Sequence, residues 1–325
     1  MTTQRSNLVI YGAGLAGLLA ANMLRRHLPV VREAQASLPA NHSALLRFRT
    51  DAVSRASGIP FRRVLVQKGV FIDGLTRPEA GLSACNAYAL KVAGRLSARS
   101  IGDLRPCVRY IAPADFTELL ARNVNVEYGV MLHSQEFHEA TYGRHPIIST
   151  IPLPDMLRMT GYAPTVDFES RPIWTQTFRL NIESDVFQTV YFPTAEVGAL
   201  YRASLHGNEL ICEFAEDPES AQYELNFYAL LSAFGLSRYA VEPLLIEKGF
   251  RKHGKLVSGC DDPARLRAIM WLTDEHNVYS LGRFATWRNL LLDDLVNDVE
   301  LIDGWLNCRS GYERRKGLAV CSSAQ

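Results

Sequence analysis

The sequence predicts an α/β fold in which a parallel, nucleotide-binding sheet carries a second, antiparallel sheet. Three observations lead there. A strand, a glycine-rich turn and a helix open the chain, and a short second strand follows them. Residues 172–214 then change to strand-like runs with turn residues between them. A strand ending in glycine, Val278 to Gly282, returns near the C-terminus ahead of a long amphipathic helix. At 325 residues the chain exceeds one ordinary core, so two lobes are expected.

The opening unit is the most informative. Leu8 to Tyr11 supplies an apolar strand. Gly12 permits a sharp turn out of it, Gly14 keeps side-chain atoms away from a pyrophosphate, and Gly17 lets the helix lie close to the strand. The helix N-terminus offers N–H groups and partial positive charge to phosphates. Pro29 to Arg32 forms a second strand that ends at Glu33, 21 residues beyond Gly12. Glu33 can accept both hydroxyls of an adenosine ribose and would repel a 2′-phosphate, which disfavours NADP. The unit implies a dinucleotide and leaves FAD and NAD open.

The following elements are read in order. Asn41 to Thr50 alternates apolar and basic positions, and Arg62 to Val66 reads as a short strand. Residues 76–112 are rich in turns. Asp115 is a plausible N-cap for a helix from Phe116 to Arg122, and Val124 to Met131 looks like a strand. His145 to Pro154 reads as a buried strand leaving into a proline-bounded turn. Four strand-like runs, Ile173–Ile182, Val186–Phe192, Leu200–Leu205 and Glu209–Phe214, suggest an antiparallel meander. Tyr223, Phe227, Leu230, Leu231 and Phe234 recur at helical spacing within 218–234. The last helix is expected from about Asn289 to Leu306.

Composition bounds the rest. The apolar fraction of 47% and charged fraction of 21% are ordinary for a globular protein. No apolar run approaches the ~20 residues of a membrane span, and the N-terminal residues show no secretory core. Cys85, Cys107, Cys212, Cys260, Cys308 and Cys321 form no CxxC pair, which reads as reduced thiols and a cytoplasmic location. His133 and His138 lack a metal-binding context, so no metal is expected. The net charge of +1 argues against a strongly basic nucleic-acid binder. Only six of the 35 basic residues are Lys, which leaves 29 Arg. Codon usage and phosphate or carboxylate binding both account for that excess.

The segment Asn277 to Trp287, with Gly282-Arg283 at its centre, resembles the C-terminal signature of flavoproteins of the UDP-galactopyranose mutase and amine oxidase superfamily. Ile147 to Pro154, Gln188 to Pro193 with Tyr201 to Ser204, and Lys252 to Lys255 are similar to further patches of that superfamily. The resemblance implies FAD as cofactor and a Rossmann-like FAD-binding domain (1–50, 115–165, 245–325) with an antiparallel β-sheet substrate or cap domain (51–114, 166–244). It implies a cofactor site of Gly12, Ala13, Gly14, Leu15, Ala16, Gly17, Glu33, Ala34, Arg47, Thr150, Gly282, Arg283, Thr286 and Trp287. It also implies a helix N-terminus aimed at the ring edge where reduced flavin carries negative charge. The mutases are longer, and their paired tyrosines and arginines have no counterpart placed here. The compact length and the Asn41 to Arg49 stretch look more like phage-encoded members, some of which are associated with thymine hypermodification in DNA.

Flavin would carry the redox chemistry, so the protein need only orient the substrate and tune the ring. Tyr191, Tyr201 and His42 are the catalytic candidates. Arg47, Arg49, Arg202 and Trp174 are the substrate-binding candidates. Sheet packing explains the aromatic residues equally well, and a surface loop explains His42. The expected substrate is a small amine or amino-acid-like molecule, or a modified nucleotide with DNA as partner, and no membrane is involved. A mutase-like, non-redox use of flavin and a non-catalytic flavin-binding role remain open, as does the oligomeric state.

Overall fold

The computed structural model describes residues 8–39, 47–96, 101–133, 145–163, 167–183, 185–220, 225–237, 242–260 and 262–307. Two sheets organise the chain. The first is parallel throughout and contains β1 (Val9–Tyr11), β2 (Val30–Glu33), β7 (Asn125–Tyr128), β8 (Ile147–Ser149) and β14 (Val278–Ser280). Its order is β14-β8-β1-β2-β7, so the first and last strands of the chain flank β8. Ile10, Val31, Ile147, Ile148 and Val278 are fully buried in it. Strands covered on both faces need such near-continuous apolar runs.

Helices cover both faces of this sheet. On one side α1 (Leu15–Met23), α2 (Ala52–Ser57), α4 (Phe116–Ala121) and α8 (Asp294–Asn307) share a core with Ile10, Val31 and Tyr279. On the other, α5 (Leu153–Met159) and α7 (Pro263–His276) pack with Tyr11, Ile147 and Trp287. Asp262 caps α7 by accepting the Ala264 N–H at 2.8 Å.

The second sheet is mixed. Its path runs β13 (Leu244–Leu256), β9 (Ser170–Arg179), β12 (Glu209–Phe214), β11 (Leu200–His206), β10 (Phe187–Tyr191), β4 (Arg62–Ile72), β6 (Cys107–Ile111) and β3 (Arg47–Phe48). A short β5 (Leu75–Arg77) pairs with β4. The strands at 47–48 and 244–256 therefore belong to this sheet. The four central runs do not form a simple meander. β10, β11 and β12 are joined as hairpins, but β9 pairs with β12 and β13, while β10 takes β4 as a parallel neighbour. β10 meets β4 over five positions, Val66 to Val70, while β9 meets β12 over six.

Local boundaries also differ from expectation. Among the described residues, the helix expected within 218–234 is α6 (Phe227–Ser232), started by Asn226, whose side chain accepts the Ala229 N–H. The last helix starts at Asp294 rather than near 289.

Gly17 sets how closely α1 approaches β1. A Cβ there would overlap the carbonyl oxygen of Gly12 and lie 3.4 Å from the Ile10 side chain. Backbone cannot move aside as a flexible side chain does. Gly17→Ala is therefore expected to destabilise the protein by about 1–3 kcal/mol, as overpacking does. A lower urea midpoint with an unchanged m-value is the expected reading, and an unshifted midpoint would contradict this packing.

Candidate functional site

Three neighbouring strands of the parallel sheet end together, and the residues that follow them meet. β1 leads into Gly12, β8 into Thr150 and β14 into Leu281 and Gly282. Gly12 has φ +102° and Gly282 φ +94°, conformations that side chains resist. The Thr150 hydroxyl donates to the Tyr11 carbonyl at 2.8 Å and occupies the space where a Gly12 side chain would lie. A Cβ on Gly282 would come within 3.2 Å of the Ala16 Cβ. The C-terminal glycine turn thus rests on the first turn of α1.

This end of the sheet fits a dinucleotide. A Cβ on Gly14 would meet nothing within 4 Å, so the space beside its backbone is open. No side chain caps α1, which leaves the N–H groups and positive dipole at Leu15, Ala16 and Gly17 to a phosphate. Glu33 is buried at the tip of β2. One carboxylate oxygen accepts the Ala13 N–H at 2.7 Å and the other accepts the Gln35 N–H at 3.0 Å. Each oxygen keeps a further acceptor site for a ribose hydroxyl. Ala34, beside it, is exposed.

The returning segment is a tight turn rather than a helix start. The N–H and hydroxyl of Thr286 both donate to the Gly282 carbonyl, at 2.9 and 2.8 Å. Arg265 of α7 holds the turn by donating to the Thr286 carbonyl at 2.8 Å. The helix expected to follow the turn, α8, begins only at Asp294. The start of α8 carries its own carboxylates: Asp294 accepts the Leu291 N–H and the Arg49 guanidinium, and Asp293 accepts the backbone N–H groups of Arg49 and Thr50. Arg283 lies beside Phe284 and Asn289 at this turn. Trp287 is fully buried at φ +46°, with its indole N–H donated to the Ser258 carbonyl at 2.7 Å. It is a core residue.

The second sheet gathers the other candidates unevenly. Cross-strand pairing puts Tyr191, Arg202, Glu213 and Thr175 in one row and Lys68, Thr189 and Ser204 in the next, all on one face. A bulge between Leu200 and Arg202 turns Tyr201 towards Glu213 as well. Arg47 reaches this face from β3, donating to Thr189 at 2.7 Å and Ser204 at 2.9 Å. Tyr88 of α3 (Leu82–Ala93) stands edge-on to both Tyr191 and Tyr201. Trp174 falls on the opposite face, packed on Phe250, because it is one residue out of step with Thr175. Arg49 is engaged at α8 and does not join Arg47. His42 lies outside the described residues.

Electrostatics on this face centre on Glu213, which is 2% exposed. It accepts both edges of the Arg202 guanidinium, at 2.7 and 2.6 Å, and the Tyr201 hydroxyl at 2.5 Å. Burial opposes the Arg202 charge, but the carboxylate holds that guanidinium well above its usual range. Burial and the same carboxylate push the Tyr201 phenol up, so its proton stays on and points at Glu213. Tyr201 is thus a poor proton shuttle and a well-fixed ring, with the Lys255 ammonium 4.7 Å from its centroid. Arg47 is different. Burial, reinforced by Arg202, lowers its guanidinium to about 10. It is still charged at neutral pH, but its hydrogen-bond partners are hydroxyls.

Three solved structures share this architecture. A reduced UDP-galactopyranose mutase is 14% identical, with TM-score 0.59, over 93% of this chain and 96% of that one. A fatty acid isomerase from P. acnes that produces CLA is 11% identical, with TM-score 0.59, over 93% and 99%. Aklavinone-11 hydroxylase, solved with FAD and aklavinone, is 11% identical, with TM-score 0.53, over 94% of this chain and 63% of that one. The fold is that of Rossmann-type flavoproteins. No protein-family model matches the chain, and no curated protein matches it by sequence.

Sequence reading missed Glu213, Lys255, Arg265 and Asp293. For Glu213 a signal existed: it is a lone acid within the apolar run Leu210 to Phe214. The other three depend on contacts distant in sequence. Among the described residues no group of three His, Cys, Asp or Glu could hold a metal ion.

Two substitutions separate cofactor binding from folding. Gly14→Val, in an open extended position, is expected to leave the urea midpoint unchanged while abolishing retention of a bound dinucleotide on gel filtration. Retention at the wild-type level would remove Gly14 from the site. Glu213→Ala leaves the partly buried Arg202 without its carboxylate, and breaking a buried pair costs about 3–5 kcal/mol. A loss below about 1 kcal/mol in urea unfolding would show that water reaches Arg202 freely.

Proposed function

We propose that the protein is an FAD-dependent oxidoreductase that oxidises a C–N bond of an amine or amino-acid-like substrate. The observation that carries the cofactor is the meeting of Gly12, Thr150 and Gly282 over the first turn of α1, beside Glu33. The glycine turns and α1 would hold the pyrophosphate, Glu33 the adenosine ribose, and Arg283 and Thr286 the far half of the cofactor. Bound FAD supplies a hydride acceptor at N5.

The chain's own residues then have simple tasks. Tyr191, backed by the buried rings of Tyr88 and Tyr201, would present an aromatic surface that keeps the substrate nitrogen out of bulk water and favours its unprotonated lone pair. Arg47 and Arg202 would bind an anionic group of the substrate and fix the C–H to be broken. Hydride leaves the carbon beside nitrogen, the nitrogen lone pair forms the imine, and water splits the imine into a carbonyl compound and an amine. Amine oxidation of this kind needs no strong acid–base pair. The Tyr201–Glu213 hydrogen bond is accordingly read as structural.

The finer substrate assignment is an amino-acid-modified thymine in DNA, with a glycyl group cleaved to leave an aminomethyl base and glyoxylate. The arginine-rich sheet face supports it, since phosphate binding demands such a surface. Similarity to the mutase over nearly the full length of both chains supports a second reading, a non-redox flavin enzyme acting on a sugar nucleotide.

The deciding measurement is anaerobic single turnover on the flavin-loaded protein. Bleaching of the oxidised flavin band by glycine-modified DNA or a free amine, with stoichiometric glyoxylate or aldehyde, is expected. UDP-sugar conversion seen only after chemical reduction would replace this reading with the second.

A further inference from the structure

β13 is an edge strand, and it is long: Leu244 to Leu256 pairs with β9 on one side, and no described strand pairs with it on the other. Leu244 is 63% exposed and Phe250 56% exposed, and Leu245 and Ile246 are exposed as well. Long apolar edges template pairing with another chain, and proteins ordinarily protect them. Register breaks at 245/247 and 251/255 leave one regular stretch, Glu247 to Arg251, in unbroken register with Thr177 to Ile173. Gly249 sits at its middle.

That stretch is self-complementary. A two-fold axis perpendicular to the sheet pairs the strand antiparallel with its own copy and keeps each residue on its face, so a residue must meet one of the same parity. Three such registers are centred on the interior residues of the stretch. Centring on Lys248 puts lysine against lysine. Centring on Phe250 puts Lys248 against Lys252. Centring on Gly249 puts Glu247 against Arg251 twice, sets Gly249 against Gly249, and lays Phe250 beside the stem of Lys248. Opposite charges directly across a ladder stabilise it and like charges oppose it.

We propose that two copies of this chain associate through β13, antiparallel and centred on Gly249, joining their mixed sheets into one continuous sheet. The self-pairing of Glu247 with Arg251 selects the occupant, because a partner lacking that arrangement gains only the backbone ladder. The ion pair of Lys248 with Glu219 of its own chain lies on the other face of the strand from Glu247 and Arg251.

The test is light scattering after gel filtration of the full chain at micromolar concentration. The wild type is expected at the mass of two chains. Glu247→Arg and Arg251→Glu should each shift it to one chain, and the double reversal should restore the dimer. A misfolded single variant is recognised by circular dichroism, and its failure is then resolved by a second measurement. Lys248→Cys with Phe250→Cys is expected to give a two-chain band on a non-reducing gel under oxidation, since the register sets 248 against 250 of the other copy. A wild type of one-chain mass, or a dimer indifferent to both reversals and not cross-linked, overturns the proposal. A segment of the same chain covering β13 would produce the first of these results.

Discussion

Close backbone contact between α1 and β1 is the constraint on which the rest of the molecule depends. Gly17 has no room for a single carbon because the Gly12 carbonyl lies against it. That contact fixes the first turn of α1 over the end of the parallel sheet. Ala16 then lies so close to Gly282 that a Cβ added there would come within 3.2 Å of it, and Gly12 lies where Thr150 closes over it. Three segments separated by more than a hundred residues are held at one point by the absence of side chains. Any bulk at these positions would move the helix N-terminus and the returning turn apart, and a pyrophosphate would lose one of its two sides.

Charge on the mixed sheet is organised by the opposite means, an excess of one sign. Arg47, Arg202, Arg109, Lys68 and Lys255 share a face on which Glu213 is the buried carboxylate. Arg202 and Glu213 neutralise each other with good geometry. Arg47 instead rests on two hydroxyls, which satisfy its hydrogen bonds without cancelling its charge. Buried charge of one sign costs free energy, and an anion arriving from solvent offsets that cost. Guanidinium suits this role better than ammonium because its weaker hydration lowers the desolvation penalty. The scarcity of lysine in the chain agrees with that use.

What was legible in the sequence was local. Gly12, Gly14, Gly17 and Glu33 lie within one strand–helix–strand unit whose geometry is set by short-range sterics, and the structure gathers them as expected. Gly282 was legible because a strand ending in glycine is also a local pattern. The order of the mixed sheet was not, since β9 and β10 are consecutive in sequence yet β12 and β11 lie between them, and β4, from over a hundred residues earlier, pairs with the other edge of β10. Trp174 was named beside the tyrosines, but the strand-like run Ile173 to Phe178 does not specify which face of the sheet it takes. Trp287 was read as a site aromatic because its turn is adjacent to the glycine. Its burial comes from Phe168 and Ser258, which no window of sequence around it contains. The start of α8 was read early for the same reason: Asp293 is held by residues 49 and 50, so a contact across the molecule sets that boundary.

The fold alone does not decide the chemistry. A mutase, an isomerase and a hydroxylase share it. The mixed sheet carries the phenolic and charged side chains of the candidate site. There the hydrogen bond from Tyr201 to Glu213 removes the most conspicuous phenol from proton transfer, and the carboxylate that might have served as a base is occupied by Arg202. His253 is partly buried, donates to or accepts from Ser170 at 2.7 Å, and is pushed by burial below its ordinary range. Such a histidine stays neutral where a free one begins to charge. Folding therefore loses stability as pH falls through 6.5 towards the lower folded value, because the unfolded chain takes up the proton first. A site with its phenol and carboxylate locked together and its histidine kept neutral favours reactions in which the cofactor takes the electrons and the protein moves few protons.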